Sequence, residues 1–133
     1  QFELLDYLTV KENVLLPYRI SNALVLDDIV EQRAEELMKR VGIDSYHNRH
    51  PDQLSQGERQ RTAICRGLIT TPRLILADEP TGNLDPENQS KTVDLLLEQA
   101  DDISATVIMV THEPTLLPQF ERTINLLELR SGS

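Results

Sequence analysis

No apolar run in this 133-residue chain approaches the ~18 residues of a membrane span, and no signal-peptide pattern opens it. The expectation is a protein with no direct membrane span, one that meets a membrane only through a partner. Cysteine is nearly absent: Cys65 stands alone, which excludes an internal disulfide and suits a reducing cytosol. Positive charge is scarce as well. Lys and Arg number 13 against 22 Asp and Glu, a net charge of −9 that argues against nucleic-acid binding as the main task. Internal repeats and low-complexity linkers are missing, and the length is one domain's worth, enough for a modest core. The histidines form no metal set: His47 and His50 share the polar loop from Tyr46 to Pro51 with no third ligand nearby, so a solvated loop is expected. One further absence is chemical. Nowhere does the chain contain G-x-x-x-x-G-K-[ST], the loop whose backbone N–H groups and lysine hold the β- and γ-phosphates of a nucleotide.

What is present is concentrated in two segments. The first, Leu54-Ser55-Gln56-Gly57-Glu58-Arg59-Gln60-Arg61, carries S-x-x-E spacing at Ser55 and Glu58. That is a capping box, in which each end satisfies an orphan backbone donor of the helix start. The spacing predicts a helix over Gln56 to Leu68, with Ala63, Ile64, Gly67 and Leu68 on one side and Arg59, Arg61 and Arg66 polar. A helix start offers free N–H groups and partial positive charge, so a phosphate at Ser55–Gly57 is favoured. Gly57 lets a ligand approach the backbone closely. Taken alone, the same spacing also describes an ordinary capped helix.

The second segment is Leu74-Ile75-Leu76-Ala77-Asp78-Glu79-Pro80. Four apolar residues without alternation predict a strand buried on both faces of a parallel sheet. Asp78 then stands at the carboxyl end of the strand, where α/β sheets bind ligands. Thr106 to Val110 predicts another buried strand, ending in Thr111-His112-Glu113-Pro114. Between the two, Thr81-Gly82-Asn83-Leu84-Asp85 predicts a turn and then a helix capped by Asp85, with Pro86 at its first position. Upstream, apolar residues from Ile29 to Val41 recur at helical spacing, with Gly42 as the stop signal.

In this order the segments resemble the ATP-binding cassette (ABC) proteins. Leu54–Arg61 resembles their signature, Leu74–Pro80 their Walker B strand and Thr81–Asp85 their D-loop, and His112 matches their switch histidine. Leu8-Thr9-Val10-Lys11-Glu12-Asn13-Val14 resembles the segment after the Q-loop, and Leu15-Leu16-Pro17 looks most like the lipoprotein-releasing and macrolide-exporter group. The Q-loop glutamine of the family falls one residue before Gln1, so Gln1 does not inherit that role. Two departures stand out. The third signature position, usually glycine, is Gln56, and the tail from Glu121 to Arg130 keeps only the outline of the family's closing strand and turn.

The resemblance implies an α/β fold: a partial RecA-like P-loop NTPase core with a parallel sheet, and a helical subdomain. Residues 1–53 would be that subdomain and 54–133 the second half of the core. The walker strand would pair in parallel with Thr106–Val110, while a closing strand over Thr123–Leu129 would lose its natural neighbour. It also implies ATP and Mg²⁺. By that likeness Asp78 holds the Mg²⁺, Glu79 orients or deprotonates the attacking water, and His112 contacts the γ-phosphate. Ser55, Gln56, Gly57 and Glu58 would face the nucleotide of a second cassette subunit in a head-to-tail dimer, with Asp85 at the seam. A transmembrane permease subunit is the other implied partner, and the implied location is cytoplasmic, peripheral on the inner face of the cell membrane. With no P-loop among its residues, the expectation is a truncated transporter ATPase, inert alone. A non-catalytic module that docks to a complete cassette or donates its signature is the alternative. A chromosome-maintenance ATPase is disfavoured, because the run from Leu8 to Leu54 holds no coiled-coil heptads.

Overall fold

The computed structural model describes residues 3–126. Helix α1 (Val10–Val14) begins at a capping box in which the Thr9 hydroxyl accepts from the Glu12 N–H at 3.2 Å and the Glu12 carboxylate accepts from the Thr9 N–H at 3.0 Å. The N–H groups of Val10 and Lys11 donate to the carbonyls of Arg49 and His47. Asn13 is fully buried. Its side-chain oxygen accepts from the Leu5 N–H at 2.8 Å, and its amide nitrogen donates to the carbonyls of Leu5, Leu8 and Thr9 at 3.0–3.2 Å, tying down the segment before α1.

Helix α2 (Leu16–Ile20) follows with Pro17 in its first turn, where a missing N–H costs nothing. Helix α3 (Asp28–Arg40) is capped by Asp27 and buries Val30, Ala34, Leu37 and Met38 of the stripe that the helical spacing predicts, whereas Ile29, its expected first member, is exposed. It ends where Gly42 takes φ +80°, with the Gly42 N–H bonded to the Lys39 carbonyl and the Ile43 N–H to the Met38 carbonyl. A residue with a Cβ is disfavoured at that left-handed position.

Helix α4 (Gln56–Leu68) has the predicted bounds and buries Thr62, Ala63, Ile64, Cys65 and Leu68. Strand β1 (Leu74–Asp78) pairs in parallel with β2 (Thr106–Val110), with Leu74 opposite Thr106 and Asp78 opposite Val110. The crossover is α5 (Pro86–Asp102), capped by Asp85. A 3₁₀ segment (Pro114–Gln119) then lies against α5, with Leu116 buried. One hydrophobic cluster runs through the chain, from Val10 and Val14 through Met38, Cys65 and Leu68 to Ile75, Ala77 and Leu96.

The strands depart from expectation in one respect. Ile75 and Ala77 are buried, but Leu74, Leu76, Ile108 and Val110 are 50%, 70%, 52% and 51% exposed, so only one face of the sheet is covered. The unbroken apolar run encodes two covered faces, and among the described residues helices pack on one. The expected closing strand also differs: Thr123–Asn125 is not strand, and Leu127–Leu129 falls outside the described residues.

Candidate nucleotide site

The carboxyl ends of β1 and β2 bring three of the singled-out residues together. Asp78 is the last residue of β1 and is exposed. Glu79 extends the ladder, its N–H donating to the Val110 carbonyl at 2.8 Å, and then turns the chain at φ +46°. A non-glycine residue there carries a backbone cost of ~1–2 kcal/mol. The Glu79 carboxylate points across to the end of β2. One oxygen accepts from the His112 backbone N–H, and the other accepts from the Thr111 hydroxyl at 3.5 Å. The His112 Nε2 lies 3.8 Å from the same carboxylate, but that ring is 91% exposed, so the pairing itself contributes little. The Thr111 hydroxyl in turn accepts from the Glu113 N–H at 3.0 Å. Glu79, 31% exposed, is thus a carboxylate held from one side and open to solvent on the other.

Asp78 makes no side-chain hydrogen bond among the described residues, and these residues hold no group of three His, Cys, Asp or Glu able to cage a metal ion. One open, hard carboxylate fits Mg²⁺, which keeps several waters and takes one or two carboxylates plus substrate phosphates.

The start of α4 is a separate place. The Ser55 hydroxyl accepts from the Glu58 N–H at 3.2 Å, and the Glu58 carboxylate accepts from the Ser55 N–H at 2.9 Å, so the capping box is formed. The Arg59 N–H is taken by the Ser55 carbonyl. That leaves the N–H groups of Gln56 and Gly57 unpaired among the described residues, two donors at a positive helix end. The Ser55 N–H, and after it the Ser55 hydroxyl and Arg61, hold the Glu58 carboxyl below its ordinary range. Gln56 sits exposed in the first helical turn, where a side chain is sterically allowed. Asp85 caps α5, accepting from the Asn88 N–H at 2.9 Å and its side-chain amide at 2.8 Å; the backbone bond chiefly lowers its pKa.

Glu79 and His112 are therefore joined, with Asp78 beside Glu79 at the end of β1, whereas no hydrogen bond or ion pair among the described residues joins Ser55–Glu58 or Asp85 to them. No hydrogen bond or ion pair among the described residues joins His47 or His50 to either place; the His47 ring bonds the Asp44 carbonyl. Sequence reasoning passed over Thr111, whose one signal is its position between β2 and His112.

Comparison with known proteins identifies the family. A family model described as ABC transporter matches residues 1–82. An uncharacterized ABC transporter ATP-binding protein of Mycobacterium tuberculosis is 41% identical over 130 residues, covering 94% of this chain and 50% of that protein. The lipoprotein-releasing system ATP-binding protein LolD of Hydrogenovibrio crunogenus is 42% identical over 125 residues, covering 94% of this chain and 54% of its own length. Among solved structures, the dimeric bacterial ABC transporter cassette MJ0796 superimposes with a TM-score of 0.71 at 37% identity, over 87% of this chain and 51% of that one. The cassette cbiO1 of Clostridium perfringens gives a TM-score of 0.76 at 29% identity, over 88% and 45%. The chain spans about half the length of the curated relatives it matches. On this family match, these levels of identity and the shared RecA-like α/β fold, the chain belongs to the ABC transporter ATP-binding family.

Proposed function

We propose that this chain serves an ATP-hydrolysing transporter subunit of the lipoprotein-releasing and macrolide-exporter type, contributing to two composite sites. The carrying observation is the Glu79 carboxylate anchored to the His112 backbone N–H at the ends of two parallel strands. In its own site Glu79 is the base that orients or deprotonates the attacking water, an effect typically worth ~10²–10⁴-fold in rate. Its anchor to β2 leaves the open side of the carboxylate for that water. His112 presents an exposed imidazole to the γ-phosphate, and Asp78 offers its free carboxylate to Mg²⁺. Bound there, the ion would offset charge on the phosphate oxygens.

The second contribution is to a partner. Ser55, Gln56 and Gly57 present a hydroxyl and two unpaired N–H groups to a nucleotide held by the P-loop of another cassette subunit, with Glu58 fixing the turn and Asp85 at the dimer seam. MJ0796 has been solved as a dimer, and in a post-hydrolysis state bound to ADP and Pi. A head-to-tail dimer of that kind, docked on a transmembrane permease at the inner face of the membrane, is the assembly we propose. In it residues 1–53 act as the helical subdomain and 54–133 as the second half of the core. The 133 residues contain no loop to cradle the β- and γ-phosphates, so by themselves they bind ATP weakly and turn nothing over.

The test mixes this chain with a complete cassette relative whose signature is disabled by Ser→Arg at the position equivalent to Ser55. Phosphate release should be partly restored by the parent chain and not by its Ser55→Arg variant. Equal rescue by both would refute the signature role. Calorimetric titration of the chain alone with Mg-ATP should show weak binding; micromolar affinity, or phosphate release abolished by Glu79→Gln, would refute the incomplete site.

A further inference from the structure

The phosphate-facing turn of α4 is braced from outside its own helix. Arg61 sits one turn further on, half-buried, and its guanidinium makes two bonds to backbone carbonyls. Its Nε donates to the Gly57 carbonyl at 3.2 Å, within α4, and its Nη1 donates to the Val41 carbonyl at 3.3 Å, at the end of α3.

The end of α3 has few other acceptors to spare. The Leu37 carbonyl is taken by the Val41 N–H, that of Met38 by the Ile43 N–H and that of Lys39 by the Gly42 N–H. The Val41 carbonyl is one of the orphans a helix end leaves, at its negative pole, and a cation there is favoured. The same guanidinium lies over two glycines. A Cβ on Gly42 would stand 3.6 Å from Nη1, and one on Gly57 would stand 3.8 Å from Nη2. One planar fork thus spans the stop of α3 and the first turn of α4. A lysine, with one compact ammonium, cannot reach both carbonyls in fixed geometry.

We propose that Arg61 is a positioning residue: it sets the angle at which the Ser55–Gly57 turn meets a nucleotide by locking that turn to the end of α3. The proposal rests on the signature reading above, since it concerns what that turn presents. Movement of α3 then has a direct route to that turn through the Arg61 guanidinium, beside the packing of the two helices and the Arg59 bond to the Pro51 carbonyl in the loop between them.

Two measurements test it, with Arg61→Met, which keeps the aliphatic stem, and Arg61→Lys, which keeps the charge. In the mixed-cassette assay at saturating chain and ATP, Arg61→Met should lower turnover by roughly tenfold, the size expected for losing the one charge-assisted bond that reaches α3. The ATP concentration for half-maximal rate, set by the P-loop of the partner, should not move. A merely structural role would reduce the competent fraction of the chain, and added chain would restore the rate. Arg61→Lys should recover the unfolding midpoint but not the turnover. Parent-like turnover for Arg61→Met at saturation overturns the proposal, as does full recovery with lysine. Hydrogen exchange on the chain alone is the second measurement: Gly42 and Ile43 on one side, and Glu58 and Arg59 on the other, should exchange faster together in Arg61→Met. If the parent chain fails to restore any activity, the signature reading falls, and exchange still decides the brace: unchanged rates at either end refute it.

Discussion

Glu79 sits in a left-handed backbone conformation yet carries a side chain, and this makes glycine and alanine opposites at this position. Its backbone is held on both sides, by the Val110 carbonyl at 2.8 Å and the Gly82 N–H at 3.2 Å, so the turn cannot relax when the side chain is changed. Glu79→Ala removes the carboxylate bonds to His112 and Thr111 and keeps the backbone cost. The loss should be ~1.5–3 kcal/mol, the usual range for bonds to a charged group. Glu79→Gly removes the same bonds but releases ~1–2 kcal/mol of left-handed strain, offset by ~0.4–1 kcal/mol of extra freedom in the unfolded chain. Glycine should therefore be more stable than alanine by about 1 kcal/mol. At ordinary strand and helix positions the order is the reverse, by ~0.5–1 kcal/mol. Urea denaturation reads the difference directly: with slopes of ~1–3 kcal/mol per molar, the two midpoints should lie ~0.3–1 M apart. An alanine variant as stable as the glycine variant would show that the turn at Glu79 is not strained, and would refute the reasoning. Both variants lack the proposed base, so the more stable one gains nothing in turnover.

Two further outcomes follow from the capping boxes and from the bare sheet face. The carboxyls of Glu12, Glu58 and Asp85 are held below their ordinary values of 4.5, 4.5 and 3.8, in each case chiefly by a capping backbone N–H. Stability from lowered carboxyls is complete above those values and is lost as pH falls through the depressed folded ones. The melting temperature by circular dichroism should accordingly fall as pH drops below about 4.5, and Glu58→Gln should flatten part of that fall; an unchanged pH profile would count against the cap at α4. On the sheet, Leu76 is 70% exposed beside Ile108, so Leu76→Lys should reduce binding of an apolar fluorescent dye. Its unfolding free energy should stay within ~0.5 kcal/mol of the parent, and a larger loss would mean that the face is covered.

Local boundaries were legible because their causes are local. Ser55 with Glu58 and Asp85 with Asn88, the two caps read in the sequence, are contacts across three residues that need no tertiary context; Thr9 with Glu12 and Asp27 with Val30 are equally local, though the sequence reading passed them over. Gly42 does the same for the end of α3, and unbroken runs of apolar and β-branched residues located both strands. Asp78, Glu79 and His112 stood out as residues at strand ends, but it is the resemblance to the ABC family, and not the pattern, that gave Glu79 and His112 their expected roles. Pattern could not say how many faces of the sheet are covered, since an apolar run records what a strand tolerates and not which helices lie against it. Nor could it show that the Glu79 carboxylate reaches the His112 N–H across 33 residues, or that Arg61 reaches the Val41 carbonyl across 20. Those contacts exist only once β1 and β2 are in register and α3 is packed on α4, because long side chains such as Glu and Arg take their direction from distant backbone that only the folded chain brings within reach.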